Sequence, residues 1–232
     1  LGAGALGLVG RHFDAGLRRQ AARVGAWLFQ VLDGLEALQA LAADQRRLLS
    51  CPVIGITGSN GKTSTKDLLA WLLSEQGALL ATQGNFNNHI GLPLTLLRAR
   101  PGLRYAVLEA GMNHAGELAA LGAILKPDVA VVLNVGDAHA GNFRNGRAGV
   151  AAAKAELVRS LGASGIAVLN ADDPRCAAMA RIHPGRSVTF GLSRQADLRL
   201  SQVRDRGALG LSALAEWSAP WGGKPQRLRI RL

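Results

Sequence analysis

From Val53 onward, short and nearly continuous apolar runs alternate with stretches whose apolar residues recur every three or four positions. Val53 to Ile56, Ala78 to Ala81, Tyr105 to Glu109, Val129 to Val135, Ile166 to Asn170 and Ser187 to Phe190 read as strands. The segments 62–76, 116–125, 148–161 and 174–182 read as helices, and Pro93 starts a further short one. Strands that are apolar on both faces are buried on both faces. The pattern therefore predicts an α/β fold, a mostly parallel sheet flanked by helices. After Gly191 the period changes to two. Leu198-x-Leu200, Leu209-x-Leu211 and Leu228-x-Ile230-x-Leu232 alternate apolar with polar, which predicts antiparallel strands at the C-terminal edge, with Gly222-Gly223 in a turn.

The first 50 residues are less regular. Ala3 to Val9 is small and apolar, and Ala26 to Leu32 reads as a strand. Asp33 is placed to cap a helix with Leu35, Leu38, Leu41 and Leu48 on its apolar side and Arg46 and Arg47 near its end. Pro52 ends that connection. Residues 1–50 are expected to be the tail of one domain plus a linker helix, and 51–232 a central domain. The start at Leu1 suggests that the chain begins inside a domain.

Composition narrows the function. With 232 residues, 48% of them apolar, the chain can fill a sizeable core. Cys51 and Cys176 form no zinc or disulfide pattern, which points to a reducing compartment. No apolar run is long enough to span a membrane, and no signal peptide is evident. The formal net charge is +11, but the arginines are scattered and Tyr105 is the only tyrosine. Without aromatics set among the basic residues, nucleic acid is not expected as a partner. The charge reads as a solvated surface with some attraction for phosphorylated substrates.

One stretch organises the chemistry. Thr57-Gly58-Ser59-Asn60-Gly61-Lys62-Thr63-Ser64 lies between a buried strand and a helix. Glycines allow backbone N–H groups to close on a phosphate, and the helix N-terminus adds attraction. Lys62 is placed to reach the outer phosphates of ATP, and Thr63 to ligate Mg²⁺. The loop is a shorter form of the general P-loop, because Ile56 stands where that pattern has glycine. Ligands of open α/β sheets bind beyond the carboxyl ends of the strands. Glu109, Asp137, His139, Asn170, Asp172 and Asp173 all fall there. Glu109 suits a Mg²⁺ ligand or, equally, a cap or salt-bridged carboxylate. His139 alone reads as an ordinary loop histidine. Lys154, among small residues, is either solvated or turned inward, where reaction with CO₂ would make it an oxygen ligand.

Three stretches resemble the Mur ligase family: the loop from Thr57 to Thr63, Gly84-Asn85-Phe86-Asn87-Asn88-His89-Ile90-Gly91-Leu92-Pro93-Leu94-Thr95-Leu96-Leu97, and Glu109-Ala110-Gly111-Met112-Asn113-His114-Ala115-Gly116-Glu117. The second is the discriminating one. It resembles the branch that joins D-alanyl-D-alanine to UDP-N-acetylmuramoyl-tripeptide. The resemblance implies ATP-dependent amide formation in the cytoplasm, through an acyl phosphate, in peptidoglycan precursor synthesis. It gives Lys62 the transferring phosphoryl group, Thr63 and Glu109 the first Mg²⁺, His139 a second metal, and Lys154 a carbamate. Asn85, Asn87 and Asn88 would line the substrate side. The family's His-Leu-Glu here becomes His139-Ala140-Gly141, and its Lys-Gly-Glu becomes Lys154-Ala155-Glu156. By this resemblance residues 1–50 belong to a UDP-substrate domain, and a C-terminal domain that receives ATP and the amine is missing. The chain alone is thus expected to be inactive, and the protein to be a monomer. The alternatives are another amide ligase of the same superfamily and a nucleotide-binding fragment without turnover.

Overall fold

The computed structural model describes residues 7–207, 210–217 and 226–231. The expectations for Leu209, the turn at Gly222-Gly223 and Leu232 lie outside these residues. A small two-stranded parallel sheet opens the chain, β1 (Gly7–Gly10) beside β2 (Trp27–Gln30), joined by helix α1 (Ala15–Val24). Helix α2 (Gly34–Arg47) follows, capped by Asp33, whose Oδ1 accepts from the N–H groups of Leu35 and Glu36. Arg46 near its end donates to the carbonyls of Leu125 and Lys126, each at 2.7 Å, and pairs with Asp128 at 3.2 Å.

The expected apolar side of α2 is only partly right. Leu35, Leu41 and Leu48 are exposed, and Ala42 is the fully buried contact. The helical period sets Leu38 and Ala42 on one side and turns Leu41 and Leu48 away from it. A small side chain lets α2 lie close across its neighbours.

The main sheet has nine strands in the order β11-β10-β9-β8-β7-β6-β3-β5-β4. Its parallel part is β3 (Val53–Thr57), β4 (Leu79–Ala81), β5 (Tyr105–Glu109), β6 (Val129–Val132), β7 (Ile166–Asn170) and β8 (Arg186–Gly191). Helix α3 (Lys62–Ser74) covers one face, where Leu69 and Leu73 pack on Ile56, Val107 and Val131. Helices α4 (Gly91–Leu96), α5 (Glu117–Leu125), α6 (Arg147–Arg159) and α7 (Pro174–Ala178) contribute to a larger core that includes Val53, Leu108, Leu121, Leu157 and Leu169. Helix α4 begins two residues before Pro93. Asn88 Oδ1 caps it by accepting from the N–H groups of Ile90 and Gly91. Proline at the third position removes no helical bond, because the first turn's N–H groups have no partner inside the helix.

The edge strands are β9 (Leu198–Asp205), β10 (Leu211–Trp217) and β11 (Gln226–Arg231). β10 is antiparallel to both neighbours, as the alternation predicts. β9, however, meets β8 in parallel, over two residue pairs only. It starts where β8 ends and runs onward, so a short loop replaces the long crossover that full parallel pairing requires.

Candidate functional site

The loop after β3 is built by its neighbours. A Cβ on Gly58 would stand 2.9 Å from Leu133 Cβ, so no side chain fits there without displacing Leu133, the residue that follows β6. Gly61, at φ 80°, takes the left-handed turn that releases the chain into α3. Among the described residues no side chain caps α3, so its first N–H groups are without a side-chain partner, an arrangement that can accept an anion. Residues 133–136 hold the loop tip from the side. Ser59 N donates to Asn134 O at 3.1 Å, Asn60 N to Asn134 Oδ1 at 2.9 Å, and Gly136 N to Ser59 Oγ at 2.8 Å. This is why β6 stops at Val132 instead of running to Val135: its continuation bonds the loop, not a strand. Asn134 fell inside the strand expected over Val129 to Val135 and carried no signal of its own in the sequence. Lys62 arches back over the loop, Nζ donating to Gly58 O at 2.9 Å.

Glu109, the last residue of β5, is 1% exposed. Its Oε2 accepts from Thr63 Oγ1 at 3.0 Å and its Oε1 from Asn87 Nδ2 at 2.7 Å. Its N–H donates to Thr82 Oγ1, and the buried Lys66, which the sequence did not flag, donates Nζ to Thr82 O at 2.9 Å. Thr63 and Glu109 thus present a hydroxyl and a carboxylate together, hard oxygens of the kind Mg²⁺ prefers. Among the described residues no group of three or more His, Cys, Asp or Glu could cage a metal. The pair fits an ion that keeps waters and takes phosphate oxygens as well.

A cavity of about 470 Å³ opens beside this pair. Its lining includes Lys62, His139 and Lys154 together with Asn87, Asn88, His89 and Glu117. Lys154 is 3% exposed, and among the described residues it has no hydrogen bond or ion pair. Burial first, and then the charge of Lys62, push its ammonium down to about 8. His139 is exposed at φ 64°, a left-handed backbone that heads the turn Ala140–Asn142. Asn85 is exposed and lies outside the cavity lining, whereas Asn87 is bonded to Glu109.

Other polar residues at this end of the sheet have structural partners. Asp137 pairs with Arg147, which holds its carboxyl below the usual range. Asp173 caps α7 through Arg175 N and Cys176 N and also accepts from Val135 N at 2.7 Å. Asp172 accepts from Leu192 N and Ser193 N, and Asn170 donates to Leu133 O. Buried Cys176 is raised to about 12, mainly by burial, which leaves it an inert thiol.

Residues 56–217 match the family described as the Mur ligase middle domain. The chain is 45% identical over 168 residues to the UDP-N-acetylmuramoyl-tripeptide–D-alanyl-D-alanine ligase of Mycobacterium tuberculosis, covering 72% of this chain and 33% of that protein. The Escherichia coli ligase of the same name is 44% identical over 172 residues, 74% of this chain and 36% of that one. The chain therefore spans about a third of the length of these relatives. Among solved structures, MurF from Acinetobacter baumannii superposes with a TM-score of 0.82 at 27% identity, over 97% of this chain and 52% of that one. MurF ligase from Thermotoga maritima in complex with ADP gives 0.76 at 29% identity, over 97% and 55%.

Proposed function

The chain belongs to the Mur ligase family, and from that premise we propose that it carries the nucleotide-binding centre of a UDP-N-acetylmuramoyl-tripeptide–D-alanyl-D-alanine ligase. In this reading residues 51–232 form the central ATP-binding domain and 1–50 the tail of a domain that holds the UDP substrate. The reaction belongs to peptidoglycan precursor synthesis in the cytoplasm, and the protein acts as a monomer. A carboxylate oxygen of the tripeptide attacks the γ-phosphorus of ATP, the bond to the β–γ bridging oxygen breaks, and ADP leaves. The amine of D-alanyl-D-alanine then attacks the acyl carbon and inorganic phosphate departs.

The observation that carries the reading is the convergence of Lys62, His139 and Lys154 on one cavity beside the Thr63–Glu109 pair. Lys62 turns from Gly58 O to the transferring phosphoryl group, where its charge is most useful in the transition state. Thr63 and Glu109 would hold Mg²⁺, which offsets the repulsion between carboxylate and triphosphate when bound. Asn87 keeps the Glu109 carboxylate in one orientation. His139 and Lys154, the latter as a carbamate, would hold a second metal ion. A pKa of about 8 in place of 10.5 raises the free-amine share of Lys154 at neutral pH from far below one per cent to roughly a tenth. That amine can attack CO₂ and lose a proton to give a carbamate.

The test uses the complete protein in which this chain occurs. With ATP, Mg²⁺, UDP-N-acetylmuramoyl-tripeptide and D-alanyl-D-alanine it should form the pentapeptide product and ADP in equal amounts. Lys62→Ala should abolish both. Absence of product with the unaltered protein, or turnover that survives Lys62→Ala, would sink the reading.

A further inference from the structure

A second concentration of charge lies at the antiparallel end of the sheet. On β10, Ser212, Leu214 and Glu216 share one face. Opposite them on β11 stand Arg231, Arg229 and Arg227, and opposite them on β9 stand Arg204, Ser201 and Arg199. Glu216 answers two of these arginines, Arg227 at 2.9 Å and Arg199 at 3.9 Å. Around Ser212 the balance is different. Arg204, Arg206 and Arg229 line a recess of about 70 Å³ together with Ser212, Leu214, Gln202 and Ala213. No carboxylate lines it, and among the described residues these three arginines form no ion pair. Ser212 is only 7% exposed, and its Oγ accepts from Arg206 Nε at 3.1 Å.

A β-bulge creates this arrangement. The pairing shifts register between Ser212 and Leu214, and Gln202 in the bulged strand stands at φ 50°. With unbroken alternation from Ser201, Val203 and Asp205 would face the recess. One extra residue reverses that parity and brings Arg204 and Arg206 instead. Asp205 is absent from the lining, and its Oδ1 accepts from Gly207 N at 2.8 Å. The strand therefore exchanges an acid for two cations at the one place where Arg229 already stands.

Three guanidinium groups around a small recess repel one another unless an anion sits between them. Their planar forks match the oxygens of a phosphate, and a buried hydroxyl adds a fourth polar contact. A recess of about 70 Å³ has room for one phosphate group and not for a nucleotide. We propose that the recess bounded by Arg204, Arg206, Arg229 and Ser212 is a phosphate-binding site, filled by a soluble phosphorylated molecule or by a phospholipid headgroup. It is independent of the ligase reading. β6, β7, β8 and β9 separate β10 from β3, the strand that leads into the 58–64 loop, and the recess shares no lining residue with the cavity there.

The test begins with the Lys62→Ala chain, so that the 58–64 loop does not contribute. Inorganic phosphate is titrated against chloride at constant ionic strength, and binding is followed by ³¹P NMR line broadening. Saturable binding is expected. Arg229→Gln should weaken it about tenfold or more, as loss of a charge-assisted bidentate contact does. Arg231→Gln, on the same face but outside the recess, should leave it unchanged. Far-UV circular dichroism checks that each variant is folded, and Arg229→Lys offers a charge-preserving variant if Arg229→Gln is not. Equal losses for Arg229→Gln and Arg231→Gln would reduce the recess to unspecific surface charge and overturn the proposal. Co-sedimentation with phosphatidylglycerol but not phosphatidylcholine vesicles, lost in Arg229→Gln, identifies a headgroup as the source. Phosphate binding without sedimentation identifies a soluble ligand, and the absence of both phosphate binding and sedimentation overturns the site.

Discussion

Glu109 and the Asp172-Asp173 pair occupy comparable places, at or just beyond the carboxyl end of a parallel strand, yet the fold holds them in different ways. Glu109 is held by two side chains, the Thr63 hydroxyl and the Asn87 amide, beside the 58–64 loop. Asp172 and Asp173 are held by backbone N–H groups: two of the turn after β8, two of α7 and one of Val135. A carboxylate that satisfies backbone donors is a piece of the chain's hydrogen bonding. Removing it leaves buried or capped N–H groups without a partner. A carboxylate held by a hydroxyl and an amide can exchange those partners for a cation. Position at the strand end is therefore not what makes a site; the identity of the partner is.

The sharpest test of that contrast is activity. In the complete protein, Glu109→Ala should reduce ligation roughly 10³-fold, the several kcal/mol expected for loss of a metal-holding carboxylate. Asp172→Asn should change it only a few-fold. Similar losses in steady-state assays would erase the distinction.

Lys154 extends the contrast to a group without a hydrogen-bond or ion-pair partner among the described residues. Burial and Lys62 hold its pKa near 8, against an ordinary 10.5, so between those values the unfolded chain binds more protons than the folded one. Stability should then rise as pH climbs from about 8 to 10.5, and below pH 8 the full cost of the buried charge is present. In CO₂-free buffer at pH 7, Lys154→Gln should stabilise the 232-residue chain by on the order of 2 kcal/mol and flatten the alkaline rise. Urea unfolding across that pH range measures both. A destabilised variant with the same slope would show that Lys154 is an ordinary packed side chain.

Asp173→Ala should act through the fold. Loss of the α7 cap and of the bond to Val135 N should lower the unfolding free energy by about 1–2 kcal/mol, read as a lower urea midpoint, with little change in catalysis of the complete protein. The smallest effect belongs to Asn85, exposed and outside the cavity. Asn85→Ala should stay within about 0.5 kcal/mol in stability, as expected for a surface change. Its KM for either peptide substrate should stay within about twofold. A large rise in KM would return Asn85 to the substrate side.

Much of the fold was legible because its signals are local. Continuous apolar strands between amphipathic helices required a covered parallel sheet, the change of period after Gly191 announced the antiparallel edge, and Asp33 marked the start of α2. The turn from the strand into α3 at Gly61-Lys62 could be expected from glycine, lysine and hydroxyl spacing, since a strand–turn–helix junction is a local feature. What the sequence could not determine was how groups far apart in the chain are paired. Asn134 ties down the loop tip across 74 positions of sequence, and Asn87 reaches Glu109 across 22. Neither pairing has a period or a spacing that announces it. The same limit hid the roles of Asp172 and Asp173, the partnerless burial of Lys154, and the bulge that turns Arg204 and Arg206 toward Arg229. Composition and periodicity fix which surfaces must be buried, because burial of apolar area is additive and non-directional. Hydrogen bonds and charges are directional and short-ranged, so their partners were decided only when the tertiary structure brought the strand ends together.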